Sequence, residues 1–415
     1  MRHGVPVPEE RGCVAPRAVV GLSVVTRTTA GQDRFRRTEG TGAPGSCTPY
    51  DGRVGEENRA PGAWARRAIG LLLQERAAGP PTPLRPFPLT AVPGAPLYVK
   101  DESCRPTGSL KHGQARALLL DALRRGRIGP GTALTEATSG NMAVAQAHFA
   151  RLLGLEYTAV VPGRTGPAKR RRIEERGGRV HPVDPPLAVY ERARALAQRT
   201  GGHCLDHLRS LAAVDDPGGL GAEILHDLAR AGEPEPAWIV VGAGSGATSA
   251  AIGRELRRRG HGTRLAVVDP ENSAYFPGWA AGARDYSTGM PSRTEGIGRP
   301  RPEPAFDPDV VDLVIPVPDA ASVAAMRHLR AVTGLAAGPS TGSCLWGAFR
   351  VLDRMRRDGT RGPVVLVAGD GGEPYRATYY DDAWTAAQGW DLAPHLADLA
   401  EFTATGTWPV RSSAP

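Results

Sequence analysis

Beyond residue 62 the apolar positions of the chain fall into two alternating patterns. Short, mostly branched apolar runs predict strands at residues 97–100, 131–136, 156–161, 178–183, 237–241, 265–268, 311–317 and 364–367. Between them apolar residues return at helical spacing. This predicts helices over residues 64–75, from Gln114 onward, after Asn141 through Leu153, and over 169–176, 249–259 and 320–332. Strand and helix alternating over this distance imply an α/β fold with largely parallel sheets. Ligands of such folds sit beyond the carboxyl ends of the strands. Residues 86–96 form a proline-rich approach to the first strand. Residues 1–62, rich in Gly, Arg, Thr and Pro and without periodicity, read as a disordered N-terminal extension.

Composition narrows the functional classes. At 415 residues the chain has room for two domains. Its net charge of +8 includes short basic clusters at residues 169–172 and 257–259. Both clusters lie in helical patterns without interleaved aromatics, so they read as solvated helix faces, and no nucleic-acid partner is expected. The five cysteines, Cys13, Cys47, Cys104, Cys204 and Cys344, are odd in number and lack metal-ligand spacing. They read as free thiols of a reducing compartment, with Cys104 a small buried filler and no metal expected. No stretch is apolar for long enough to cross a bilayer. The run at 18–25 follows Arg11 and Arg17, but Glu9, Glu10 and Pro16 crowd the basic flank that a signal peptide needs. A cytoplasmic protein is expected.

Four stretches carry candidate chemistry. The first is Arg105 to Arg116, where a Pro-Thr-Gly-Ser turn delivers Lys111 to the start of a helix. Only three of the 51 basic residues are lysines, Lys100, Lys111 and Lys169. A lysine at a helix entrance invites a chemical reason, because lysine can lose its proton and form a Schiff base whereas arginine cannot. The second stretch, Thr138-Ser139-Gly140-Asn141, offers hydroxyls, an amide and backbone N–H groups at a helix start, which suit a carboxylate or an N-cap equally. The third, Gly242-Ala243-Gly244-Ser245-Gly246-Ala247-Thr248, follows a strand and can curl around a phosphate. It also fits a dinucleotide fingerprint, with Asp269 at the end of the next strand, so this stretch alone leaves both readings open. The fourth, Gly338-Pro339-Ser340-Thr341-Gly342, presents Ser340 before another helix.

Together these stretches, in this order, resemble the cysteine synthase and cystathionine β-synthase family, the fold-type-II enzymes that use pyridoxal 5'-phosphate. The resemblance spans residues 80–390. It implies two open, largely parallel α/β sheet domains with the cofactor between them. Residues 63–130 and 226–390 would form the large cofactor-binding domain, residues 131–225 the smaller substrate-loop domain, and residues 391–415 a C-terminal tail. Lys111 would be the Schiff-base lysine and catalytic base. Asn141, Gly244, Ser245, Gly246, Ala247, Thr248 and Ser340 would hold the cofactor, the glycine-rich run at its phosphate and Ser340 at its ring nitrogen. Thr138, Ser139, Gly140, Met142, His207 and Gly296 would meet the substrate, and Asp370-Gly371-Gly372-Glu373 resembles the family's closing motif.

Several phrases are similar to the L-cysteine desulfhydrase branch, among them Ser109-Leu110-Lys111-His112, residues 149–155, residues 267–274 and residues 295–301. The chain departs from the family at Gly113, where arginine is usual, at Met142 for threonine, at Ala247 for glycine and at Pro374 for arginine. His207 stands in the place of a substrate-binding glutamine. By resemblance the reaction is β-elimination on L-cysteine through an aminoacrylate, releasing sulfide, pyruvate and ammonia. The alternatives are β-replacement on an O-activated serine and a non-catalytic cofactor-binding homologue. A neutral serine at the ring nitrogen limits charge build-up there and disfavours transamination. The resemblance also implies a homodimer acting on a small amino acid, without a C-terminal regulatory domain.

Overall fold

A computed structural model of the chain describes residues 62–214 and 219–409. The expected N-terminal extension lies outside these residues except for Gly62, as do Cys13, Cys47 and the apolar run at 18–25. The chain begins with α1 (Ala63–Ala78), β1 (Leu84–Phe87), β2 (Leu97–Asp101), α2 (Lys111–Arg124), β3 (Leu134–Ala137) and α3 (Asn141–Leu152). It continues with β4 (Tyr157–Pro162), α4 (Pro167–Glu174), β5 (Arg179–Val183), α5 (Val189–Thr200), β6 (His203–Cys204), α6 (His207–Ser210) and α7 (Leu220–Arg230). Then come β7 (Trp238–Gly242), α8 (Ala247–Arg258), β8 (Arg264–Pro270), α9 (Tyr275–Ala281), β9 (Leu313–Val317) and α10 (Asp319–Thr333). The last elements are α11 (Pro339–Asp358), β10 (Val364–Ala368), α12 (Asp382–Ala387) and α13 (Ala393–Thr405).

The strands form two sheets, ordered β1-β2-β10-β7-β8-β9 and β5-β4-β3-β6. Every pairing is parallel except that of β1 with β2. Strands such as Val364–Ala368 are apolar throughout because both faces of a parallel sheet are covered by helices. Alternate side chains sort the larger core. Val240, Val268 and Leu366 meet Leu345, Phe349 and Leu352 of α11 on one face, whereas Ile239, Val267 and Val365 meet Ile224, Leu228, Ile252 and Leu256 of α7 and α8 on the other. The smaller core gathers Leu134, Tyr157 and Val161 with Leu119, Leu123 and Phe149 of α2 and α3.

The structure adds detail to several sequence expectations. The strand expected over 131–136 starts only at Leu134, since Gly131 is left-handed and the Thr132 hydroxyl closes a turn on the Gly129 N–H at 2.9 Å. The apolar pattern does not predict β1, which carries Pro86, a residue only an edge strand tolerates. Residues 63–130 divide between the sheets. β1 and β2 join the larger sheet, whereas the apolar faces of α1 and α2 pack with α3, β3 and β4. Residues 391–415, expected as a tail, contain α13, whose Leu399 and Phe402 are buried against α11. No helix among the described residues is long and apolar enough to cross a membrane.

Candidate active site

The loops beyond β7, β10 and β3 converge with the start of α2 on one cleft. Its walls include Lys111, Asn141, Gly244, Ser245, Gly246 and Thr248, closed by Gly296, Ser340 and Asp370. Backbone bonds hold these loops in register. Leu110 N–H donates to Gly369 O at 2.9 Å, Gly338 N–H to Asp370 O at 3.2 Å, and Gly298 N–H to Ala243 O at 2.8 Å. Lys111, Ser340 and the glycine loop, far apart in sequence, thereby face a common space.

Lys111 is the first residue of α2, and its N–H is capped by the Ser109 hydroxyl at 3.3 Å. Burial pulls its ammonium down from 10.5 to about 8, against the nearby Asp370 carboxylate, which favours the charged form. A helix N-terminus, positive by its aligned peptide dipoles, acts in the same sense as burial. A pKa of about 8 makes roughly 9 % of the amines neutral at pH 7, against about 0.03 % at the ordinary value. Asp370 is itself raised to about 6 by burial, despite hydrogen bonds from Tyr375 Oη and Asn141 Nδ2, each at 2.6 Å. The Asn141 amide is fixed from both ends, because its Oδ1 accepts from Arg172 Nη2 at 3.1 Å.

The glycine loop leads into α8. Gly246 is left-handed, and a Cβ there would lie 2.5 Å from Phe306 Cα; one on Gly244 would lie 2.5 Å from Gly296 O. Only glycines permit so tight a curl, which brings the loop to the positive, N-terminal end of α8, where anions are favoured. Thr248 Oγ1 accepts from Gln114 Nε2 at 2.6 Å, tying α8 to the helix of Lys111. The Ser340 hydroxyl borders the cleft beside Gly296 and Gly369 and has no hydrogen-bond partner among the described residues. An amine, a dianion cradle and a neutral unpartnered hydroxyl match the aldehyde, phosphate and ring nitrogen of pyridoxal phosphate. A nicotinamide cofactor would leave the amine and Ser340 without a role.

Other expected site residues sit around the cleft. Thr138, Ser139 and Gly140 form the loop between β3 and Asn141, at the carboxyl end of the small sheet, and Ala247 is buried within the first turn of α8. Met142 is buried in the small-sheet core rather than in the cleft. His207 begins α6 outside the cleft wall; its N–H donates to the buried Glu136 at 2.9 Å, and its Nδ1 lies 3.3 Å from the same carboxylate. Cys104 is exposed rather than a buried filler, whereas Cys344 is buried in the cleft wall.

In the sequence Asp370 reads only as part of a closing motif, and Arg172 as part of a solvated face. Arg172 bonds Asn141, and Lys169 on the same helix bonds Glu295 beside Gly296 at 2.7 Å. The cluster at 257–259 is exposed and engages Asp312 and Glu255. The signal available for Asp370 was its place directly beyond a strand, at a carboxyl end.

The fold and cleft define a pyridoxal-phosphate enzyme of fold type II, and a family profile described as pyridoxal-phosphate dependent enzyme matches residues 76–370. The chain belongs to that family. It is 46% identical over 353 residues to the L-cysteine desulfhydrase Cds1 of Mycobacterium tuberculosis, which covers 83% of this chain and 96% of that protein. A putative cysteine synthase of Sinorhizobium fredii is 31% identical over 309 residues, covering 71% and 87% respectively. Among solved structures, O-ureido-L-serine synthase superimposes with a TM-score of 0.65 at 25% identity, covering 75% of this chain and 98% of that one.

Proposed function

We propose that the chain is a pyridoxal-phosphate-dependent carbon–sulfur lyase that converts L-cysteine and water to sulfide, pyruvate and ammonia. The observation that carries this reading is the 46% identity to an L-cysteine desulfhydrase across nearly its whole length. Bound at the cleft, the cofactor supplies an electron sink that makes the substrate α-proton removable. The protein's part follows from its residues.

Lys111, depressed to about 8, would hold the cofactor aldehyde, and its neutral amine would serve as the base for the substrate α-proton. The N–H groups from Gly244 to Thr248, with the Ser245 and Thr248 hydroxyls, would hold the phosphate. Ser340 would face the ring nitrogen with a neutral hydroxyl. Asn141, fixed by Arg172 and Asp370, would offer its remaining N–H to the cofactor. Thr138, Ser139 and Gly140 receive the substrate carboxylate, with His207 nearby at the carboxyl end of the small sheet. Gly296 borders the substrate from the opposite side.

The division into a larger cofactor domain and a smaller substrate-loop domain belongs to the same reading, with the smaller unit closing over substrate. So do a homodimer and a cytoplasmic location; the free thiols Cys104, Cys204 and Cys344 suit a reducing compartment.

The test is a pair of assays on cofactor-loaded protein. L-Cysteine alone is expected to release equal amounts of sulfide and pyruvate. Cysteine formation from O-acetylserine plus sulfide, without pyruvate release in the first assay, would replace the lyase with a β-replacement enzyme. That second reading is favoured by the similarity to a putative cysteine synthase.

A further inference from the structure

A second cluster of ligating groups lies behind the cleft, where α1, α2 and α3 meet. Glu75, His112 and His148 each offer one ligand atom, and these atoms lie within 4.8 Å of one another. His112 Nε2 is 2.7 Å from Glu75 Oε1. The remaining atoms of both groups are already engaged. His112 Nδ1 faces the Thr107 hydroxyl at 3.3 Å, and Glu75 Oε2 accepts from Arg116 Nη1 at 2.7 Å. Such outer contacts fix the ring and carboxylate orientation at metal sites. His148 completes the set. It is half-buried, stands 5.5 Å ring-to-ring from His112, and makes no hydrogen bond among the described residues. His112 is almost fully buried, so the half-open His148 provides the way in.

We propose that Glu75, His112 and His148 bind a divalent transition-metal ion of the zinc class, at a site distinct from the cofactor cleft and adjoining Lys111 through His112. Two imidazoles and one carboxylate select zinc, cobalt or nickel over magnesium and calcium, which take oxygen ligands. With bonds of about 2.0–2.1 Å, ligand atoms around a tetrahedral zinc lie about 3.3 Å apart. Binding would therefore open the 2.7 Å pair slightly and draw the more distant atom in. A water takes the fourth position.

Charge sets the strength. Arg116 offsets Glu75, and Arg151 and Arg176 lie near His148, so the site has no excess negative charge. The ion would accordingly be held weakly enough to exchange. It would join three helices at the residue following Lys111, making the stability of that helix entrance responsive to metal supply. This inference does not depend on which amino acid the cleft converts.

The experiment uses full-length holoenzyme stripped with a chelator and titrated calorimetrically with zinc chloride, alongside His148→Gln and Glu75→Gln variants. The wild type should bind one more zinc per chain than either variant, or bind it at least tenfold more tightly, and zinc should raise its melting temperature but not theirs. Magnesium chloride should produce no such heat. Both variants should retain the visible cofactor band, showing that the cleft is intact. Equal zinc stoichiometry and affinity in all three proteins, or no zinc binding by the wild type, would overturn the proposal.

Discussion

Replacing Gly246 by alanine tests whether the glycine loop is built for a phosphate. Two penalties combine at this position. Its φ of +82° is left-handed, which costs an L-residue about 1–2 kcal/mol. The new Cβ would also lie 2.5 Å from Phe306 Cα and 2.7 Å from Phe306 N, about 1 Å inside ordinary carbon contact. Both are backbone atoms that cannot swing away, so the overpacking adds about 1–3 kcal/mol. Gly246→Ala should therefore lose about 2–5 kcal/mol of stability.

Gly334 supplies the control. Its φ is +76°, but no heavy atom lies within 4 Å of its Cβ position, so Gly334→Ala bears only the conformational part, about 1–2 kcal/mol. Relief of the clash displaces the cradle and lengthens at least one charged hydrogen bond to the phosphate. Such a bond is worth about 1.5–3 kcal/mol, or roughly 10–100-fold in cofactor affinity. Urea denaturation of the apo forms measures the first effect, and absorbance titration with pyridoxal phosphate the second. The reasoning fails if Gly246→Ala is no less stable than Gly334→Ala and binds the cofactor as tightly as the wild type.

Three further predictions rest on other parts of the structure. Asp370→Asn removes the carboxylate that favours the Lys111 ammonium, so the lysine pKa falls below about 8. The pH profile for the rate of cofactor capture by apoenzyme, followed by absorbance, should then move to lower pH; an unmoved profile would separate Asp370 from Lys111. Burial raises Asp269 from 3.8 to about 7, so the folded state holds this proton more tightly than the unfolded chain and loses stability as pH rises between those values. Asp269→Asn should accordingly stabilise the protein at pH 8 more than at pH 5 in urea denaturation, and an equal effect at both would contradict the assignment. Lys169→Met breaks a half-exposed pair with Glu295, so stability should change by less than about 1 kcal/mol. The KM for L-cysteine should nevertheless rise, because Glu295 adjoins Gly296; an unchanged KM would show that the pair does not position that loop.

Local signals made much of the site legible. Lys111, Asn141, Ser245 and Ser340 each stand at a helix start after a loop of small polar residues, and such entrances can be read from neighbouring residues alone. The strands at 237–241 and 364–367 were equally plain, since two covered faces demand unbroken apolar runs. Long-range partners were not legible. Arg172 lies in a basic helical patch, and nothing near it in sequence shows that its guanidinium reaches Asn141. Met142 stands next to a cleft residue, but one helical step of about 100° turns it into the core. The place of α1 was hidden for the same reason, because Leu72 finds its partners on α2 and α3 rather than on the strands that follow it in sequence.

The three lysines make the central claim directly measurable. Lys100 is buried and bonded to Asp227 at 2.6 Å, and Lys169 pairs with Glu295 on the surface, so only Lys111 lines the cleft. Reduction of the holoenzyme with sodium borohydride, followed by peptide mass spectrometry, should place the pyridoxyl-phosphate adduct on Lys111 and abolish the visible band. An adduct on Lys100 or Lys169, or none at all from protein that carries the band and turns over L-cysteine, would contradict the account.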